Sequence, residues 1–84
     1  MKNITVYMGP MCPYCDAAKR LLNKKNIPFK EINIAHEEGK REEMLAKSNG
    51  RKTIPQIFFN EFHVGGYEEL RSLEKKGELL NLIK

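Results

Sequence analysis

Apolar and polar positions alternate through Asn3-Ile4-Thr5-Val6-Tyr7, a segment rich in β-branched and aromatic residues, which predicts a strand that Gly9-Pro10 ends. From Cys12 to about Lys25 the period lengthens: Cys15, Ala18, Leu21 and Leu22 recur at three- and four-residue steps, as on one face of a helix. Lys19, Arg20, Lys24 and Lys25 crowd its far end, where cations complement the helix dipole. After the turn Asn26-Ile27-Pro28, alternation returns over residues 29–34 and predicts a second strand. Glu38 to about Ser48 reads as a second helix with Met44 and Leu45 inward, stopped by Asn49-Gly50. Gln56-Ile57-Phe58-Phe59 and Phe62-His63-Val64 read as two strands joined tightly through Asn60-Glu61. Gly65-Gly66 ends the fourth strand, Tyr67 to about Lys75 is a third helix, and beyond Gly77 lies a short apolar tail, residues 79–83.

The predicted order is β-α-β-α-β-β-α. A strand–helix–strand unit implies parallel pairing through a right-handed crossover, and the closing hairpin adds antiparallel strands. The expected fold class is therefore α/β, a four-stranded mixed sheet flanked by helices. At 84 residues the chain is expected to form one domain, residues 1–84, with a thin core. No apolar run approaches the roughly 20 residues of a membrane span. The start, MKNITVYM, has no apolar signal segment, so neither export nor a membrane partner is expected.

Fifteen Lys and Arg against eleven Asp and Glu leave a net charge of +4. Residues 1–42 carry +3 and residues 43–84 carry +1, with the signs interspersed. This is unlike the concentrated basic face of a nucleic-acid binder, and it favours small anions or acidic protein partners. The charge-dense stretch His36 to Glu43 is read as a solvated helix face and its turn.

The only two cysteines stand in Cys12-Pro13-Tyr14-Cys15, directly after a strand and opening a helix. Two intervening residues suit either a metal knuckle or a dithiol redox centre. A closed zinc site needs four ligands, and the only conventional additions are His36 and His63, with 26 residues between them and no shared helix face. Both histidines are read as ordinary surface or strand-edge residues. A purely structural disulfide would close too short a loop to constrain the unfolded chain much. The remaining reading is a disulfide that forms and breaks. Pro13 is suited to the first helical position, and Cys12 then faces the free N–H groups of the helix start. Such a position lowers a thiol from about 8.5 to somewhere between about 3.5 and 7.5. Cys15, one turn further in, is expected to be more buried. Cys12 is thus the attacker and Cys15 the resolver. At a pKa near 5 the gain in thiolate at pH 7, about 30-fold, nearly cancels the roughly 50-fold loss in nucleophilicity, so the main gain is in departure of Cys12 from a mixed disulfide.

Cys12-Pro13-Tyr14-Cys15, Thr53-Ile54-Pro55 and Gly65-Gly66-Tyr67-Glu68-Glu69 follow one another in the order and at the intervals of a bacterial dithiol glutaredoxin, a member of the thioredoxin superfamily, which the chain resembles over essentially its whole length. The resemblance implies a thioredoxin-like fold and a glutathione-dependent thiol–disulfide oxidoreductase of the cytoplasm. It implies no bound cofactor or metal, with glutathione as cosubstrate. Cys12 would carry the mixed disulfide, and Tyr14 would lie beside that sulfur. The backbone of Ile54, between Thr53 and a cis Pro55, would pair with the cysteinyl part of glutathione. An Xaa–Pro bond is cis in only about 5–6% of cases, so the cis form is implied by the resemblance alone. Gly66 and the first N–H groups of the third helix, at Tyr67 and Glu68, would receive the γ-glutamyl carboxylate, with Glu68 and Glu69 near its amino group. Arg51, beside Lys52, would attract the glycyl carboxylate.

Two positions depart from the family pattern. Gly9 stands where a lysine is frequent, removing a cation near Cys12 for which Lys19 and Arg51 are candidate substitutes. Glu68-Glu69 stands where aspartate is common. The implied partners are glutathione and disulfide-bearing or glutathionylated proteins, with the chain a monomer. Two alternatives stay open: a hydrogen donor for ribonucleotide reductase recycled by thioredoxin reductase, and an iron–sulfur carrier formed as a dimer.

Overall fold

Residues 2–83 are described by a computed structural model. The order is β1 (Ile4–Met8), α1 (Pro13–Lys24), β2 (Lys30–Asn33), α2 (Lys40–Lys47), β3 (Gln56–Phe59), β4 (Phe62–Gly65), α3 (Tyr67–Lys75) and α4 (Leu79–Ile83). The sheet order is β2-β1-β3-β4, with β1 parallel to β2 and antiparallel to β3, and β3 antiparallel to β4. This is the expected mixed sheet of a thioredoxin-like α/β fold.

Strand alternation divides the core in two. Ile4 and Val6 of β1 and Ile57 and Phe59 of β3 point to one face, where they meet Ala18 and Leu22 of α1, Leu70 of α3, and Leu79 and Ile83 of α4. Tyr7 and Phe58 point to the other face and meet Ile32 and Met44. Every residue of β3 is buried, as a central strand sandwiched between helices requires. Burying a side chain such as Leu22 or Phe59 contributes about 1.5–3 kcal/mol. Helices of this length are marginal alone, so packing on the sheet rather than propensity holds them.

The tail beyond Gly77 differs from the sequence expectation. It is a fourth helix, whose Leu79 and Ile83 close the end of the larger core. Five residues carry too little helical period to be distinguished from an apolar tail. The second helix starts later than expected, at Lys40, because Gly39 at its N-cap has φ +79° and Glu37 and Glu38 lie in the preceding turn. Leu45 is half-buried, leaving Met44 as that helix's buried anchor.

Beneath the sheet, the Tyr7 hydroxyl donates a hydrogen bond to Glu43, which also accepts from Lys40 at 3.2 Å. Burial, and then the bond to Glu43, push the Tyr7 phenol far above its ordinary range. The same bond, with Lys40, holds the Glu43 carboxyl below its usual value. Among the described residues no helix is long and apolar enough to cross a membrane.

Candidate active site

β1 ends at Met8, and the chain turns through Gly9-Pro10-Met11 into Cys12, which has extended backbone (φ −122°, ψ 93°) and caps α1. Pro13 occupies the first turn, where its missing N–H costs nothing. The Cys12 Sγ accepts a hydrogen bond from the Cys15 N–H at 3.1 Å. Cys12 and Cys15 form a disulfide across a Cα–Cα distance of 5.2 Å. Cys15 is only 1% exposed, packed under the helix, whereas Cys12 is partly exposed. The sulfur that reaches solvent is therefore also the one held at the positive end of the helix dipole.

Opposite Cys12 stands the loop before β3. The Ile54 carbonyl oxygen is 3.7 Å from the Cys12 Sγ, and the Ile54–Pro55 bond is cis. Gly9 is buried, and a Cβ placed there would come within 2.9 Å of the Ile54 Cδ1. Gly9 is thus a position where any side chain competes with Ile54.

One cleft of about 190 Å³ adjoins the disulfide. Arg51, Thr53, Ile54 and Pro55 form one wall, and Gly66, Tyr67, Glu68 and Glu69 at the start of α3 form another. Tyr14 closes the end nearest the cysteines, its ring stacked on Tyr67 at 6.1 Å between centroids. All nine side chains and backbone positions expected beside the cysteines line this single cleft.

Their internal pairing is more specific than the sequence suggests. Glu69 turns back on its own helix: its Oε1 accepts from the Gly66 N–H at 2.5 Å and lies 3.7 Å from the Arg51 Nη2. That places the acid and the guanidinium against each other, while Glu68 stays exposed at the cleft edge. Gly65 makes this fold-back possible. Its φ is +121°, and a Cβ there would lie 2.5 Å from the Glu69 Oε1. Lys19 is not in the cleft; it pairs with Glu31 at 3.1 Å and Asp16 at 3.8 Å. Arg51 is the one candidate substitute cation that reaches it, and Lys52 is not part of its lining.

Two residues behind the cleft have a part that the sequence alone does not give: Gln56, read there only as a strand residue, and His63, read there as an ordinary surface or strand-edge residue. Gln56 is 0% exposed, and its Nε2 donates to the Thr53 carbonyl at 2.9 Å and to the Thr53 Oγ1 at 3.1 Å. A carbonyl can only accept, so the amide nitrogen must face Thr53 and the Oε1 must face His63, 2.7 Å from its Nε2. His63 therefore carries its proton on Nε2, with its ring stacked on Phe58 at 4.8 Å. Burial, and then the nearby Arg51, lower the His63 pKa, with Glu69 acting in the opposite sense. A glutamine opening a strand otherwise made of Ile57, Phe58 and Phe59 was the available signal.

A family model for glutaredoxin matches residues 4–64, which include the cysteine pair, the cis proline and all of the sheet but Gly65. The chain belongs to the glutaredoxin family. Glutaredoxins are thiol–disulfide oxidoreductases, and the Cys12–Cys15 disulfide is the family's redox motif in this chain. Glutaredoxin 3 of Escherichia coli strain K12 is 44% identical over 84 residues, covering all of both chains. A glutaredoxin of Pseudomonas aeruginosa is 42% identical, covering 99% of this chain and 98% of that one. The solution structure of a glutaredoxin from Brucella melitensis has a TM-score of 0.86 at 44% identity, over all of this chain and 90% of that one. The buckwheat glutaredoxin–glutathione complex shares the fold, with a TM-score of 0.87 at 21% identity over 98% of this chain and 76% of that one.

Proposed function

We propose that this glutaredoxin-family chain is a glutathione-dependent oxidoreductase that reduces protein disulfides and glutathione mixed disulfides. The observation that carries the reading is the cleft beside Cys12, bounded by cis Pro55 on one side and the start of α3 on the other. Its Thr53-Ile54 backbone, a bend that runs into cis Pro55, borders the cleft and suits a peptide-like thiol laid alongside. The helix start at Tyr67 suits a carboxylate. Arg51 supplies a cation at the same cleft, close to Glu69. The buckwheat protein is described in complex with glutathione, and it has the same fold.

In the proposed reaction the Cys12 thiolate attacks a substrate disulfide, forming a mixed disulfide and releasing one substrate thiol. With a protein disulfide, the Cys15 thiol gives up its proton and attacks the Cys12 sulfur. The second substrate thiol leaves and the intramolecular disulfide remains. Two glutathione molecules then reduce that disulfide and depart as oxidised glutathione. With a glutathionylated protein, Cys12 takes the glutathionyl group, and a second glutathione removes it without Cys15. When glutathione attacks the glutathionyl sulfur, Cys12 departs as a thiolate stabilised at the head of α1, so breaking that mixed disulfide is the step the geometry favours. Re-reduction by glutathione belongs in a reducing compartment, which supports a cytoplasmic location.

The test is turnover of the mixed disulfide of glutathione and 2-mercaptoethanol, with glutathione and glutathione reductase recycling the enzyme. Cys15→Ser is expected to retain this activity and lose reduction of protein disulfides. Cys12→Ser is expected to lose both, and an active Cys12→Ser protein would overturn the assignment of roles.

A further inference from the structure

We propose that the groove between α1 and α3 docks an acidic segment of the protein whose disulfide is reduced at Cys12. The proposal rests on the thiol–disulfide reading above and specifies its protein substrate. Arg20 and Lys24 of α1 face Arg71 and Lys75 of α3 across a groove of about 410 Å³, with Glu74 the single acid in its lining. The four cations recur at helical spacing, four residues apart on each helix, so each helix presents its pair on one side. Ala17 and Leu21 form a half-buried floor. Their excess over Glu74, +3, is most of the chain's net +4, gathered in one place.

These charges are also unspent. Among the described residues the salt bridges involve Lys19, Lys40 and Arg51, and none of the four groove cations takes part in one. The groove neighbours the active site, with Tyr67 lining both it and the cleft beside Cys12. Along α1, at about 1.5 Å per residue, Arg20 lies roughly 12 Å and Lys24 roughly 18 Å beyond Cys12. An extended peptide covers about 3.3 Å per residue, so the matching carboxylates sit about four to six positions from the substrate cysteine. A single-stranded nucleic acid fits less well: the groove's one aromatic, Tyr67, is already stacked on Tyr14, leaving no platform for bases.

The experiment compares disulfide-bridged peptides that differ only at positions four to six from the cysteine, where they carry Glu, Gln or Lys. The expected result is a preference of about tenfold in kcat/KM for the Glu peptide over the Lys peptide at low salt, within the range electrostatic steering provides. The preference shrinks as ionic strength rises from about 0.01 to about 0.15 M, over which the Debye length falls from about 30 to about 8 Å. Arg20→Gln/Arg71→Gln is expected to lose most of the preference and Arg20→Glu/Arg71→Glu to reverse it. Both should turn over the glutathione–2-mercaptoethanol disulfide at the wild-type rate, which also shows that they are folded. Equal rates on all peptides would overturn the proposal, as would a preference that survives both variants. Tight binding of a single-stranded oligonucleotide, lost in Arg20→Glu/Arg71→Glu and unaccompanied by any peptide preference, would also overturn it. Failure of wild-type protein on the small mixed disulfide would instead reject the oxidoreductase reading.

Discussion

Gln56 holds the Thr53 wall of the cleft in place from behind. Its amide ties the Thr53 backbone and hydroxyl to the His63 ring, three contacts between 2.7 and 3.1 Å made by a fully buried side chain. Gln56→Leu keeps the volume but strands the Thr53 carbonyl and the His63 N–H. The expected cost is about 1–3 kcal/mol of stability, read from urea unfolding. If Thr53 binds glutathione as proposed, the KM for glutathione also rises while Cys12 alkylation is unchanged.

Among the elements, the junction of β4 and α3 has no room for a side chain at Gly65. Gly65 adopts φ +121° so that Glu69 can reach back to the Gly66 N–H and stand beside Arg51. Gly65→Ala both strains the backbone and drives a methyl group into Glu69. It is expected to cost about 1–3 kcal/mol in denaturant unfolding. Ala at Gly77, which has φ +73° but nothing near its Cβ, tests the backbone contribution separately. A larger loss at Gly65 combines its less favourable φ with the displacement of Glu69.

Across the whole molecule, acid should destabilise the fold in two steps of the same sign. The folded state lowers the His63 pKa from 6.5, so the unfolded chain binds the proton first as pH falls. Stability is complete above 6.5 and declines as pH falls from there through the folded value. The Glu43 carboxyl is lowered from 4.5 by Tyr7 and then Lys40, so its contribution is present above 4.5 and lost at lower pH. Urea midpoints measured from pH 8 downward should therefore fall first below about pH 6.5. In His63→Gln the upper step should vanish and the lower one remain.

The alternation in Ile4-Thr5-Val6-Tyr7, the three-four spacing of Cys15, Ala18 and Leu22, and the breaks at Gly9-Pro10 and Gly65-Gly66 were enough to specify the layers and the place of the dithiol, because periodicity and turn chemistry act over neighbouring residues. Helix α4 and the late start of α2 were not legible, since a five-residue helix and a glycine cap depend on what they pack against. Nor was the role of His63, whose partner Gln56 is brought to it by the pairing of β3 with β4. The same holds for charge. Read in order, Arg20 and Lys24 belong to the cationic end of α1 while Arg71 and Lys75 stand among acids 51 residues later, and only the approach of α1 to α3 gathers the four beside Tyr67. Local chemistry is written in short-range pattern, whereas electrostatic fields and hydrogen-bond relays belong to distances that chain order does not encode directly.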